Sequence, residues 1–134
     1  GIILQIVGML RSINLNSREE ENSTESLIAK SKFLMQESLN KQMNMQELSK
    51  RLPMGYSKFR KSFKEITGES PSQYHLNLRL NKAKYLLQST KLSVSEVAYQ
   101  TGFESIFYFS KLFTKKNNGK SPREFFAKRN GDGC

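Results

Sequence analysis

Two stretches of the sequence place cations, hydroxyls and one aromatic ring along a single side of a helix. They lie fifty residues apart, in 56–67 and in 105–117. The side chains are Ser57, Arg60, Lys61 and Lys64 in the first stretch, and Phe107, Ser110, Lys111 and Thr114 in the second. Arginine and lysine donate to guanine O6 and N7, serine pairs with several base edges, and an aromatic ring makes apolar contacts. This pattern predicts recognition of nucleic-acid bases, against the plainer interpretation of a solvated charged face.

The opposite side of each stretch is apolar and indicates what holds the two faces in place. Phe59, Phe63 and Ile66 share one side of the first helix, and Phe109 and Phe113 share one side of the second, so we expect all five in the core. We expect base reading from Ser57, Arg60, Lys61, Phe107, Ser110 and Lys111. We expect phosphate contacts from Lys50, Lys64, Lys115 and Lys116.

Side chains that carry other chemistry are scarce. His75 and Cys134 are the only histidine and cysteine, so they offer neither a zinc cage nor an internal disulfide. Because there is no glycine-rich phosphate loop and no carboxylate–histidine cluster, we expect no enzyme, no cofactor and no metal. A single cysteine fits a reducing cytoplasm, so the expected location is cytoplasmic. No apolar run approaches the roughly 20 residues of a membrane span, so we expect no membrane contact.

The charge of the chain is strongly basic and unevenly distributed. Of its 134 residues, 22 are basic and 12 are acidic, which gives a net charge of +10. Residues 1–26 hold two arginines and four glutamates, so the positive excess lies entirely in 27–134. A compact basic segment of this kind favours a polyanionic partner.

Capping signals divide most of the chain into helices. The first helix, over 26–40, is expected to bury Leu27, Phe33, Leu34 and Leu39. Asn44 is a plausible cap for a short helix over 45–52, and Gly68 stops the next one, over 56–67. Capping boxes at Ser70, Ser93 and Ser121 open helices that run to about 89, 101 and 129, with one more over 105–117. No segment alternates with a period of two, so the fold class is all-α, with about seven helices.

Two parts of this helical region repeat each other. Three residues of the first part match three of the second at an offset of 50: Phe59, Lys61 and Phe63 against Phe109, Lys111 and Phe113. Each copy contains a short helix, a tight turn, a second helix and a glycine stop. In the second copy, Ala98 and Gly102 are the small residue and the turn glycine that a close helix crossing needs. The pattern is typical of a helix-turn-helix, and its alternative is a repeated packing motif that does not bind DNA.

Residues 27–130 resemble the DNA-binding module of the AraC (arabinose-regulator) family. The most specific matches are Val97-Ala98, Gly102-Phe103, the run 108–113 and Ser121-Pro122. The first copy matches at Phe59, Phe63-Lys64, Thr67-Gly68, Ser70-Pro71 and Tyr74, with Arg79-Leu80 and Ala83 further on. Two residues depart from the pattern: Pro53 stands where the first turn often has glycine, and Ser49 replaces a small apolar residue.

The resemblance implies two helix-turn-helix subdomains joined by a long linker helix. It implies sequence-specific binding of double-stranded DNA in adjacent major grooves, usually with transcriptional activation, and a separate sensor domain. The expected partners are DNA and RNA polymerase, with a homodimer through the N-terminal region as a further option. Two other functions stay open, a helical protein-interaction module and a sequence-indifferent nucleic-acid binder.

These patterns divide the chain into five parts. We expect residues 1–13 to be an apolar helix belonging to a sensor or dimerisation region, and 14–25 to be an acidic linker. Residues 26–89 form the first subdomain with its connecting helix, 90–130 the second subdomain, and 131–134 a tail.

Overall fold

The computed structural model describes residues 23–125 and contains helices and no strands in that range. The helices are α1 (Thr24–Gln36), α2 (Met45–Lys50), α3 (Tyr56–Thr67), α4 (Pro71–Ser89), α5 (Val94–Gln100) and α6 (Ile106–Lys116). Residues 122–125 are also helical. The all-α class is therefore confirmed. The expected helix over 1–13, most of the linker and the end of the last helix lie outside the described residues.

Side-chain caps set where most of the helices begin, as the sequence indicated. The Asn44 carboxamide oxygen accepts hydrogen bonds from two backbone N–H groups of α2, at 2.9 and 3.2 Å. The hydroxyls of Ser70 and Ser93 each accept from the N–H three residues ahead, at 3.2 and 3.1 Å. Such bonds satisfy donors that the first helical turn leaves unpaired. The first helix differs from expectation, because Ser23 caps it at Thr24 and it ends at Gln36.

The first hydrophobic core lies among α1, α2 and α3. Its buried residues are Leu27, Ile28, Met35, Met45, Leu48, Leu52, Phe59 and Phe63. The rings of Phe59 and Phe63 meet edge to face at 5.7 Å, and Phe63 meets Tyr74 of α4 at 5.2 Å. Aromatic pairs in this arrangement add about 1 kcal/mol to the burial of their area.

Of the residues expected in this core, Leu34 and Leu39 are half-buried, and Phe33 and Ile66 are exposed. Phe33 is 63% exposed. The buried side of α1 carries Leu27, Ser31 and Met35. Because Phe33 lies two positions from both Ser31 and Met35, its side chain points to the opposite side of the helix. Ile66 is 44% exposed although it shares a side with Phe59 and Phe63. It lies in the last turn of α3, where the hydrophobic cluster does not extend.

The second core lies among α4, α5 and α6 and repeats the aromatic packing of the first. Its buried residues are Leu80, Ala83, Leu87, Val97, Ala98, Phe103, Phe109 and Phe113. Phe109 packs against Phe103 at 5.1 Å and against Phe113 at 5.5 Å. The expected core positions Phe109 and Phe113 are both fully buried. The 19 residues of α4 contribute to both cores, because Tyr74 packs on the first and Leu87 on the second.

Two polar residues of α4 tie the helical units together. His75 is buried and its Nε2 lies 2.7 Å from the carbonyl oxygen of Ser38, in the loop after α1. Arg79 is also buried, and its Nε and Nη2 donate to the carbonyls of Thr101 and Gly102, each at 2.8 Å. The charge is therefore met by carbonyls at the end of α5, and α4 holds both units in one arrangement.

Gly102 brings the second unit against the first. Its φ is +82°, and a Cβ added there would lie 2.6 Å from the Cα of Lys41 in the loop after α1. Side chains cannot approach backbone that closely, and a positive φ strains any residue except glycine. Gly68 has a similar φ of +86°, but a Cβ there would meet nothing within 4 Å.

This pair of glycines allows the contact between the units to be measured. We expect Gly68→Ala to lower the free energy of unfolding by about 1 kcal/mol, from backbone strain alone. Gly102→Ala should cost about 2–4 kcal/mol, because it adds the collision with Lys41 to the same strain. Denaturant unfolding of the two variants gives both values. Equal losses would mean that the loop at Lys41 does not pack against the second unit.

A second prediction concerns pH. Burial lowers the pKa of His75 from its ordinary value, and the positive charge of Arg79 acts in the same direction, while the hydrogen bond to Ser38 opposes them. The unfolded chain then takes up a proton near pH 6.5, before the folded chain does. Stability is therefore full above that pH and falls as the pH drops below it, by at most about 1.4 kcal/mol per pH unit.

The variant His75→Gln isolates this effect, because its amide keeps a donor for Ser38 and does not titrate. We expect the difference in unfolding free energy between the original protein and the variant to shrink as the pH falls from 7.5 to 5.5. A difference in unfolding free energy that stays constant across this pH range would contradict the conclusion that His75 is neutral in the folded protein.

Candidate nucleic-acid interface

The outward side of α3 is formed by the residues that the sequence singled out. Phe59 and Phe63 are fully buried and fix the rotation of the helix about its axis. On the opposite side Ser57, Arg60, Lys61 and Lys64 are all exposed. The side chains that could donate to bases or phosphates therefore lie together on one solvent-facing stripe about 10 Å long.

A local contact positions the arginine of this stripe. The guanidinium of Arg60 lies over the ring of Tyr56, one turn earlier, with 5.6 Å between the guanidinium carbon and the ring centroid. This cation–π contact holds the charge near the N-terminal end of α3. That end is capped by Gly55, which offers no side-chain acceptor to the first-turn N–H groups. This pair was not among the expected contacts, although an aromatic residue four positions before an arginine on a helix predicts it.

The outward side of α6 has the same register and a different chemistry. Phe109 and Phe113 are buried, and Phe107 is 90% exposed. Lys111 is exposed, while Ser110 and Thr114 are half-buried. The Ser105 hydroxyl accepts a hydrogen bond from the N–H of Tyr108 at 3.2 Å and so caps this helix. The stripe on α6 is therefore less charged than that on α3, and an aromatic ring projects from its first turn.

The lysines expected at phosphates are exposed and lie at the edges of the two stripes. Lys50 is the last residue of α2 and lines a cleft with Gly55 and Tyr56, beside the start of α3. The others stand in the last turns of α3 and α6: Lys64, Lys115 and Lys116. Lys115 is eight residues after Phe107, which is about 12 Å along the helix. These four lysines thus lie beside the base-reading candidates, toward the ends of the two stripes.

The first unit accommodates both residues that depart from the pattern, one in α2 and one in the turn before α3. Ser49 is buried, and its hydroxyl donates to the carbonyl of Gln46 at 2.8 Å, so it brings no unsatisfied polar group into the core. Pro53 lies exposed in the turn before α3. In the second unit Ala98 is buried, where a small side chain allows close packing.

The structure adds residues that sequence reasoning did not place at the interface between the units. From the sequence, His75 is only a single histidine that offers no metal site, and Arg79 is only part of the resemblance. In the structure His75 contacts the loop after α1, and Arg79 donates to the end of α5. A groove between the units is lined by residues from both of them, including Gln42, Gln73 and Tyr99. The sequence does not predict that these residues lie together, because they are far apart along the chain and no repeating spacing relates them.

The described residues offer neither a metal cluster nor a membrane-spanning helix. Across residues 23–125, no three side chains of histidine, cysteine, aspartate or glutamate are placed to hold a metal ion. Within that range no helix has the length and apolar character needed to cross a membrane.

Comparison with known proteins places these features in a family. A profile described as a helix-turn-helix domain matches residues 48–128. The chain is 29% identical over 130 residues to the transcriptional activator RhaS of Escherichia coli, covering 97% of this chain and 46% of that protein. It spans less than half the length of the curated relatives it matches.

Two solved structures resemble the fold closely. One is a transcriptional regulator with an AraC-type DNA-binding domain from Chromobacterium violaceum, with a TM-score of 0.74 and 28% identity, covering 78% of this chain and 93% of that one. The other is the DNA-binding domain of the transcriptional factor AdpA in complex with a target DNA, with a TM-score of 0.72 and 28% identity over 79% and 95% of the two chains. Together with the matched profile and the paired helix-turn-helix units, these likenesses show that the chain belongs to the AraC-type helix-turn-helix family.

Proposed function

We propose that this chain is the DNA-binding part of a transcription activator that recognises a specific double-stranded site. In this proposal α3 enters one major groove and α6 enters the next. The observation that carries it is the shared register of the two helices, each with two buried phenylalanines inward and donors outward, fifty residues apart. The AdpA domain, whose structure contains a target DNA, has a similar fold, and this similarity supports DNA binding by the present chain.

The arrangement of the units suits two adjacent grooves. Helix α4 has 19 residues and spans about 28 Å. Major grooves on one side of DNA recur about every 34 Å. A helix of this length can therefore hold α3 and α6 at a separation that suits two adjacent grooves. Arg79 and Gly102 fix the second unit against the first, so the two contacts are made at a set spacing.

The residues have distinct proposed roles. Base edges are read by Ser57, Arg60, Lys61, Phe107, Ser110 and Lys111, and phosphates are bound by Lys50, Lys64, Lys115 and Lys116. Phosphate contacts supply affinity that depends on salt, whereas base contacts supply preference for one sequence. For the whole protein we propose that it acts in the cytoplasm, contacts RNA polymerase, and dimerises through the segment that includes residues 1–13.

Selection of bound sequences from a random DNA pool tests the main proposal. We expect enrichment of one site with two clusters of preferred positions about 10 base pairs apart. A helical protein-interaction module would retain no DNA, and a sequence-indifferent binder would retain DNA without enrichment. Either result would contradict the proposed function.

Lys61 and Lys111 occupy equivalent positions and provide a sharper prediction. If both read bases, Lys61→Ala and Lys111→Ala should each relax preference at a different cluster of the selected site. Each loss should be about 1–3 kcal/mol on that site and smaller on scrambled DNA. Binding of each variant to both DNAs across a salt series measures this.

Lys115→Ala is the matched control. As a phosphate contact it should weaken both DNAs alike and reduce the salt slope by about one unit. If Lys61→Ala and Lys111→Ala lose equally on both DNAs, their lysines are backbone contacts. If Lys111→Ala loses nothing, only the first unit engages DNA.

A further inference from the structure

The first turn of α6 exposes three consecutive apolar side chains. Ile106 is 44% exposed, Phe107 90% and Tyr108 56%. At the equivalent positions of α3, Ser57 and Lys58 are polar and exposed. The two helices share a register, so the difference lies in what each presents at the end that enters a groove.

Phe107 is the ring of this turn that is most free to contact a partner. The ring of Tyr108 lies 6.4 Å from that of Phe103 and is directed toward the second core. Phe107 lies one turn before Ser110 and Lys111, on the same side of the helix. Whatever covers Phe107 must therefore offer an apolar group within one helical turn of groups that accept hydrogen bonds.

The major groove of DNA offers that combination at one kind of position. Base edges in this groove are polar except for the C5-methyl group of thymine, to which 5-methylcytosine adds an equivalent group. The net charge of +10 and the neighbouring Lys111 favour DNA over an apolar protein surface as the partner. Burial of a methyl group against an aromatic ring is favourable and does not depend on salt.

We propose that the second unit recognises a pyrimidine C5-methyl group through the ring of Phe107. This inference rests on the proposed function, which places α6 in a major groove. The half-site of α6 then contains a required thymine, and 5-methylcytosine carries an equivalent methyl group. The half-site of α3 is read by hydrogen bonds from polar side chains. The two halves of one operator are thus recognised by different physical interactions.

Replacement of thymine by deoxyuridine tests this directly, because deoxyuridine keeps base pairing and the O4 acceptor and lacks only the methyl group. In the site selected from the random pool, each thymine of the second half-site is replaced in turn. We expect one replacement to weaken binding about fourfold, the value of one buried methyl group, with no change in salt slope. In the variant Phe107→Ala the same replacement should have no effect.

The controls separate this inference from the proposed function. Thymines of the first half-site should respond to deoxyuridine equally in the original protein and in Phe107→Ala. The variant should unfold at the same denaturant concentration, because the ring it removes is exposed.

If a preferred site is selected but no deoxyuridine in its second half weakens binding, methyl recognition is wrong and the proposed function stands. If Phe107→Ala retains the full deoxyuridine effect, another residue reads the methyl group and the assignment to Phe107 is overturned. If no preferred site is selected, the proposed function itself fails.

Discussion

The buried charge of Arg79 is the constraint on which the relative position of the two units depends. A guanidinium removed from water is costly unless its donors are satisfied. Two of them reach the carbonyls of Thr101 and Gly102, and the guanidinium carbon lies 4.1 Å from the centroid of the Phe103 ring. Burial lowers the pKa of Arg79, but guanidinium remains protonated in proteins, so the need for acceptors persists. The end of α5 is thereby held at a fixed place along α4.

A fixed arrangement matters for a protein that reads two grooves. If the units moved independently, the second unit would lose conformational freedom when it bound DNA. This entropic cost would reduce the affinity that its contacts contribute. The contact of Gly102 with Lys41 and the bond of His75 to Ser38 join the loop after α1 to the second unit and to α4. This one loop of the first unit is thus held by both α4 and the second unit, which fixes the positions of α3 and α6 relative to each other.

The outward stripes of α3 and α6 differ in their chemistry. On α3 the stripe carries Arg60, Lys61 and Lys64, with the guanidinium held over Tyr56. On α6 it carries Lys111 and the exposed ring of Phe107. Under the proposed function, the first unit supplies more of the salt-dependent affinity and the second more of the apolar discrimination. Under the same proposal, one repeated backbone arrangement presents two different modes of recognition.

The sequence by itself determined the features that depend on neighbouring residues. Caps such as Asn44 and Ser93, the stop at Gly68 and the inward side of α3 could be predicted, because they follow from spacings of a few residues along one helix. The exposure of Phe33 and Ile66 could not, since it depends on which sides the other helices cover. Only the tertiary structure decided the partners of Arg79 and the collision that keeps residue 102 a glycine. Those contacts join residues 22 and more than 60 positions apart, and no local spacing encodes them.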